Sequence, residues 1–278
     1  MTAALAVFGC FDLLASVVLA GGFLSAALVT APSPVGRRVS RVATLVLGVV
    51  LIVEFALIVV RMSAFGTSKG VGLLSDVLAT RWGELWVIRV LGLALLVVAL
   101  RAPHPRSQIW SGIAAVWLMA RSLQGHAGAH GAMSAVMDWI HVVAVAAWFG
   151  SLTQYASLSD DLSARTAVRV RRVATTAVAL VVPTGVYAAF LHVPNIEQLF
   201  RSAYGKTLLA KIGFATVLVG LGAANHFRHV PALIGGEEDA ARTLHRAVAL
   251  ELVVGAVILL LSALLGVLPM PHDMATTG

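Results

Sequence analysis

The chain has 278 residues, 59% of them hydrophobic and 12% charged, with a mean hydropathy of +0.91. Soluble domains are about 45–50% apolar and about 25% charged, so the surplus apolar surface must face lipid, which excludes a soluble enzyme, a disordered chain and a secreted disulfide scaffold. The single cysteine, Cys10, permits no internal disulfide and no thiolate cluster, and the net charge of +7 leaves nucleic acid open only until the basic residues are placed.

A helix that crosses about 30 Å of hydrocarbon needs about 20 mostly apolar residues. Eight segments qualify in chain order: 5–30, 43–62, 84–100, 109–123, 135–155, 173–192, 207–224 and 247–268. The fourth is the shortest. Stretches 44–53 and 253–261 stay apolar throughout instead of alternating as the strands of a membrane barrel do. The first segment has no basic residue ahead of it and exceeds a signal h-region of about 7–15 residues, so it reads as a retained helix. The predicted fold is all-α, a polytopic membrane bundle of about eight transmembrane helices.

One set of connections holds Arg37, Arg38, Arg41, Arg101, Arg106, Arg165, Arg169, Arg171, Arg172, Arg228, Arg242 and Arg246. The opposite set holds Arg61, Lys69, Arg81, Arg201 and Lys206, a split of twelve against five. The positive-inside rule then puts both termini outside, on the periplasmic side. The basic charge is a topology signal, and no nucleic-acid partner is expected. The longest loop, 63–83, is rich in Gly and Ser and too short for a soluble module. Residues 1–278 therefore read as a single transmembrane domain embedded in the lipid bilayer.

This topology sorts the soft side chains. Met62, His126, His130, Met133, Met137, His141, His192, Met270, His272 and Met274 fall on the outer side, while His104, His226, His229 and His245 fall on the inner side. Methionine used as flexible filler would scatter through the spans. The stretch 124–135 reads QGHAGAHGAMSA and carries no basic residue, which suits cation approach. As a helix it would put His126 with His130, Met133 with Met137, and Met137 with His141 on shared i,i+4 faces. Its glycines favour a flexible wrap over a regular helix. Imidazole with thioether is a soft set that favours copper, especially Cu(I). Incidental loop histidines and packing methionines are the competing reading, and the added methionines with His141 inside the span tip the balance to metal. The stretch 269–274, PMPHDM, forms a second Met/His cluster at the outer mouth.

Charges inside spans are costly and face the bundle interior. Asp12, Glu54, Asp138, Lys211 and Glu251 fit this description, and Glu84 with Arg89 and Arg121 read as ion pairing within the bundle. Asp138, one turn from His141, is placed to orient it. Pro183 with Gly185 predicts a break in the sixth span whose freed carbonyls line a cavity. Trp82, Trp86, Trp110 and Trp139 read as an interfacial belt. Trp148 lies seven residues past His141 on the same face.

At these residues the chain resembles the CopD family of bacterial inner-membrane copper resistance proteins. The likeness runs from GHAGAHG and DWIHVVAVAAWFGSL, with Ser151 where a second glycine is usual, through RVATTAVALVVPTGVYAAFL and AYGKTLLAKIGFATVLVGLGAANHFRHVP, to LHRAVALELVVGAVILLLSALLGVLPMP. It covers about 150 residues, densest over 124–271; the first 120 residues match mainly in hydropathy and span number. The resemblance implies an eight-helix protein of the cytoplasmic membrane that moves copper from periplasm to cytoplasm. It carries over His126, His141, Trp148, Tyr204, Lys206, Lys211 and Glu251.

The leading expectation is a copper carrier and not an enzyme. With no Walker A motif, movement would follow a gradient, the membrane potential or delivery by a periplasmic copper chaperone. The alternatives are a redox protein holding b-type haem between histidines such as His141 and His192, and a copper-binding assembly or sensing protein that does not transport.

Overall fold

The computed structural model describes residues 2–29, 34–63, 70–101, 107–158, 164–192 and 196–268. The chain runs through α1 (Thr2–Leu28), α2 (Pro34–Ser63), α3 (Val71–Leu78), α4 (Arg81–Arg101), α5 (Ser107–Gln124), α6 (His126–Ala129) and α7 (Ala132–Ala156). It continues through α8 (Ala164–His192), α9 (Ile196–Arg201), α10 (Ala203–Ala224), a π-turn (Asn225–His229), α11 (Val230–Ile234) and α12 (Ala240–Leu265). Among the described residues there is no strand, and the all-α expectation holds.

Among the described residues, seven helices are long and apolar enough to cross a membrane, so the protein is a multi-pass membrane protein. The predicted fourth span, α5, is the exception. It has 18 residues but is diluted by Gln108, Arg121 and Gln124. Its surroundings explain this, because α5 packs on α1, α4 and α7 and buries Ala114, Trp117, Leu118 and Ala120. It still lies antiparallel to α4. Gln124 Nε2 at its end donates to the Trp82 carbonyl at the start of α4 (3.3 Å), and Trp117 Nε1 donates to the Arg89 carbonyl (2.9 Å). Among the described residues the bundle thus has eight long helices, and α5 is the one whose composition falls short of a spanning segment.

Two satellite clusters mark the ends of the bundle. At one, the near end, Tyr204 and Leu208 of α10 meet Leu265 of α12. At the other, the far end, Val29 meets Leu152 and Tyr155 of α7, Ala167 and Val170 of α8, and Leu244 and Val248 of α12. The far end carries Arg37, Arg38, Arg101, Arg169, Arg172 and Arg242, the basic side of the sequence reading.

Helix α1 is the hub, packed on α2, α5, α7 and α12. Its closest partner is α7. A Cβ on Gly21 would lie 2.9 Å from Gly150 Cα, and one on Gly150 would strike the Gly21 backbone. Helix association in lipid lacks the water-driven hydrophobic term, so close backbone approach through small residues supplies dispersion contact instead. Ser151 is buried beside this crossing with its hydroxyl donated to the Ala147 carbonyl (2.5 Å), so it packs where a glycine is usual without an unpaired polar atom.

The buried charges of the first half form one network. Arg89 pairs with Asp12, approaches Glu54 at 3.5 Å and donates to Gln124 Oε1 at 2.9 Å, while Arg121 reaches the other Asp12 oxygen at 3.1 Å. The expected Glu84–Arg89 pair does not form. Five residues apart on one helix, the two side chains point about 140° apart. Two belt tryptophans are also reassigned: Trp86 Nε1 donates to the Leu51 carbonyl (2.9 Å) and Trp139 Nε1 to the Ala115 carbonyl (2.6 Å), each tying neighbouring helices together. An indole N–H away from water needs such a partner.

Replacing Gly150 by Ala is expected to destabilise the protein by about 1–3 kcal/mol through overpacking against α1. Gly48→Ala on α2, where an added Cβ meets nothing within 4 Å, should be neutral or slightly stabilising. Thermal unfolding of both variants in the same detergent reads the difference.

Candidate functional site

The approach to α7 is shorter and more ordered than a flexible wrap. Residues 126–129 form a single helical turn, α6, which ends because Gly131 adopts φ +99° and redirects the chain into α7. A Cβ on Gly128 would strike the Leu123 carbonyl, so the turn sits directly on the end of α5. His130 caps α6 and is exposed. The structure describes the backbone alone at His126 and at His192, the last residue of α8.

Met133, Met137 and His141 follow at four-residue intervals along α7, as the spacing predicts. Met133 is exposed, Met137 half-buried, and His141 turns inward against α8. His141 Nδ1 lies 2.9 Å from Thr184 Oγ1. Thr184 gives its own proton to the Leu180 carbonyl at 2.6 Å. Its oxygen is therefore the acceptor for His141 Nδ1–H, and in the neutral ring the unprotonated nitrogen is Nε2. This is the arrangement a metal-ligating imidazole adopts, with one nitrogen held by a fixed partner and the other left with its lone pair.

Pro183 does not interrupt α8, which runs unbroken from Ala164 to His192. The proline removes one backbone donor, and the Thr184 hydroxyl reoccupies the neighbouring carbonyls of Leu180 and Val181 (2.6 and 3.2 Å). Gly185 completes the seat, since a Cβ there would lie 3.5 Å from His141 Cε1. Asp138 and Lys211 of α10 both act on the His141 ring by charge. The ring in turn donates its Nδ1–H to Thr184, and the Val181 backbone also hydrogen-bonds to the ring. Thr184 carries no charge and is visible in the sequence only as a hydroxyl beside a proline.

Deeper along the same α7 face, Trp148 lies against α12, where a Cβ on Gly255 would meet its ring at 2.7 Å. Towards the far end, Glu251 of α12 is buried and accepts a hydrogen bond from Asn225 Nδ2 (2.5 Å). Asn225 opens the π-turn, a five-residue widening of the kind often found at functional positions. Neither Thr184 nor Asn225 was singled out by sequence reasoning; a lone amide inside an apolar span was the available signal for Asn225. Tyr204 is buried in the near-end apolar cluster and Lys206 is exposed. Met270, His272 and Met274 lie outside the described residues. Among the described residues, no three His, Cys, Asp or Glu side chains gather closely enough to hold a metal ion.

Two family models match the chain, "Copper resistance protein D" over residues 164–265 and "Copper resistance protein D-like, N-terminal domain" over residues 1–136. The chain is 30% identical over 213 residues to Copper resistance protein D of Pseudomonas syringae pv. tomato, covering 68% of this chain and 69% of that one. The chain belongs to the copper resistance protein D family. It is also 27% identical to inner membrane protein YebZ of Escherichia coli (strain K12), over 69% of this chain and 70% of that one. With Copper transport protein CutJ of Bacillus subtilis (strain 168) it shares 24% identity over 70% of its length, and the match spans 38% of that longer protein. No solved structure matches. The copper resistance protein D likeness reaches the first half of the chain in more than hydropathy and span number. Lys211, Asn225 and Glu251 fall within the second matched stretch, and His141 with Trp148 lies on the helix between the two.

Asn225→Leu should leave the Glu251 carboxyl buried without its donor and lower stability by about 1–3 kcal/mol. The double variant Asn225→Leu with Glu251→Leu should recover part of that loss. Unfolding midpoints in detergent compare the two.

Proposed function

We propose that this chain is a copper carrier of the bacterial cytoplasmic membrane and that it favours movement from periplasm to cytoplasm. The observation that carries the reading is the locked His141 ring, whose Nδ1 is held by Thr184 while Nε2 is left for a ligand. The near end is taken as the periplasmic face and the arginine-rich far end as the cytoplasmic one, in keeping with the positive-inside rule. The family membership and the printed names of the Pseudomonas and Bacillus relatives support copper as the cargo.

In this reading His126, His130, Met133 and Met137 meet the ion first, with Met270, His272 and Met274 as further capture groups and a periplasmic copper chaperone as a donor. The ion then passes to His141. Neutral soft donors do the holding at this level, which suits monovalent Cu(I). Trp148 closes the face below, and the Asn225–Glu251 pair stands on the cytoplasmic side of it. No step needs a chemical transformation of a substrate, so the role is carriage and not catalysis.

Thr184→Val keeps the shape of the seat and removes the acceptor for His141 Nδ1, which should weaken copper binding about 10–100-fold. His126→Ala with His141→Ala should remove bound copper measured by mass spectrometry of the metal while the far-ultraviolet spectrum stays unchanged. The deciding experiment is radiocopper flux in proteoliposomes of both orientations. Loss of inward flux in the His141→Ala variant is the expected result, and unchanged flux overturns the route. Retained copper without flux in the wild-type protein marks a binder, and a strong Soret band marks a haem protein.

A further inference from the structure

A groove of about 710 Å³ runs along the side of the bundle between the end of α1 and one face each of α7 and α8. It lies apart from the His141 face: its α7 wall is formed by Trp139, Val143 and their neighbours, and neither His141, Asp138 nor Trp148 lines it. The lining is apolar along most of its length and contains no acidic residue. Its far end holds two guanidinium groups, Arg169 and Arg172, both on exposed positions of α8. Arg169 donates through Nη1 to the Val29 carbonyl at 2.8 Å, which ties it to the mouth of the groove and leaves the rest of its fork available. Among the described residues neither arginine is in an ion pair with a carboxylate.

The dimensions narrow the occupant. From Arg169 to Leu180 the α8 wall rises about 16 Å at 1.5 Å per residue, close to half of the roughly 30 Å hydrocarbon core. The groove is therefore one leaflet deep, polar and cationic at its interfacial end and apolar below. We propose that it binds an anionic phospholipid, with the headgroup phosphate on Arg169 and Arg172 and one acyl chain lying in the groove. Guanidinium forks match phosphate oxygens in geometry and charge, and basic sites between helices at the membrane surface are the recurring form of such recognition. A free anion would leave the apolar trough uncovered, and an apolar partner helix would leave two guanidiniums facing hydrocarbon. The bound chain would brace α8, whose contacts lie mainly with α7 and which touches α10 only slightly, and so steady the helix that carries Thr184. The inference stands whether or not the copper route is correct.

The test is native mass spectrometry of the full chain released from detergent after exposure to equal amounts of phosphatidylglycerol and phosphatidylcholine with identical acyl chains. Wild type should retain phosphatidylglycerol on the order of tenfold better than phosphatidylcholine. Arg172→Gln should bring the two close to parity. Thr176→Trp, which fills the groove and keeps both arginines, should lose both lipids while size exclusion and circular dichroism report a folded chain. Millimolar inorganic phosphate should not displace the lipid. Equal retention of the two lipids by wild type overturns the proposal on its own, whatever the variants do. Full selectivity in Arg172→Gln, retention in Thr176→Trp, or displacement by phosphate each overturns it as well.

Discussion

The crossing of α1 and α7 at Gly21 and Gly150 is the constraint on which the remaining geometry depends. Backbone lies on backbone there, so neither helix can rotate or slide without a clash. A rotation of α7 by one residue would swing its side chains by about 100°. His141 would leave the Thr184 seat, Trp148 would leave Gly255, and the Trp139 bond to Ala115 would break. Helix α1 then transmits the same register to α2, α5 and α12, which pack around it.

Around this axis the bundle treats its polar groups in two ways. The Asp12–Glu54–Arg89–Arg121 network is closed: opposite charges meet one another and Gln124 ties the end of α5 to the start of α4. Breaking such a network by removing one member leaves an uncompensated charge, which marks it as architecture. The α7–α8–α10 level is arranged differently. Thr184 satisfies one nitrogen of His141, and the other is left with a lone pair to offer. The half of the chain with fewer paired charges is therefore the half with a chemically available group.

The helices are legible in the sequence because hydrocarbon imposes a local rule. A backbone in lipid must satisfy its own hydrogen bonds, so twenty apolar residues in a row announce a helix wherever they occur. Segment α5 tests that rule: Arg121 and Gln124 find partners inside the bundle in Asp12, Arg89 and the Trp82 carbonyl, while Gln108 is exposed at its start. The face shared by Met133, Met137 and His141 was equally legible, being a matter of spacing along one helix. The turn between α5 and α7 was less legible, because a single positive-φ glycine, Gly131, ends α6 and redirects the chain into α7. The Glu84–Arg89 pairing failed because nearness in sequence is not nearness around a helix.

Sequence by itself determined the class of protein, the run of spans, the concentration of arginine at one end of the bundle and the candidate soft ligands. Tertiary structure alone decided which groups meet. Asp12 and Arg89 are 77 residues apart, and His141 and Thr184 are 43 apart. Their contact follows from how helices rotate and cross, which in turn follows from where glycine lets two backbones touch. Hydrophobicity and helix formation are properties of a stretch of chain. The partner of a buried side chain is a property of the packed bundle, and no local pattern encodes it.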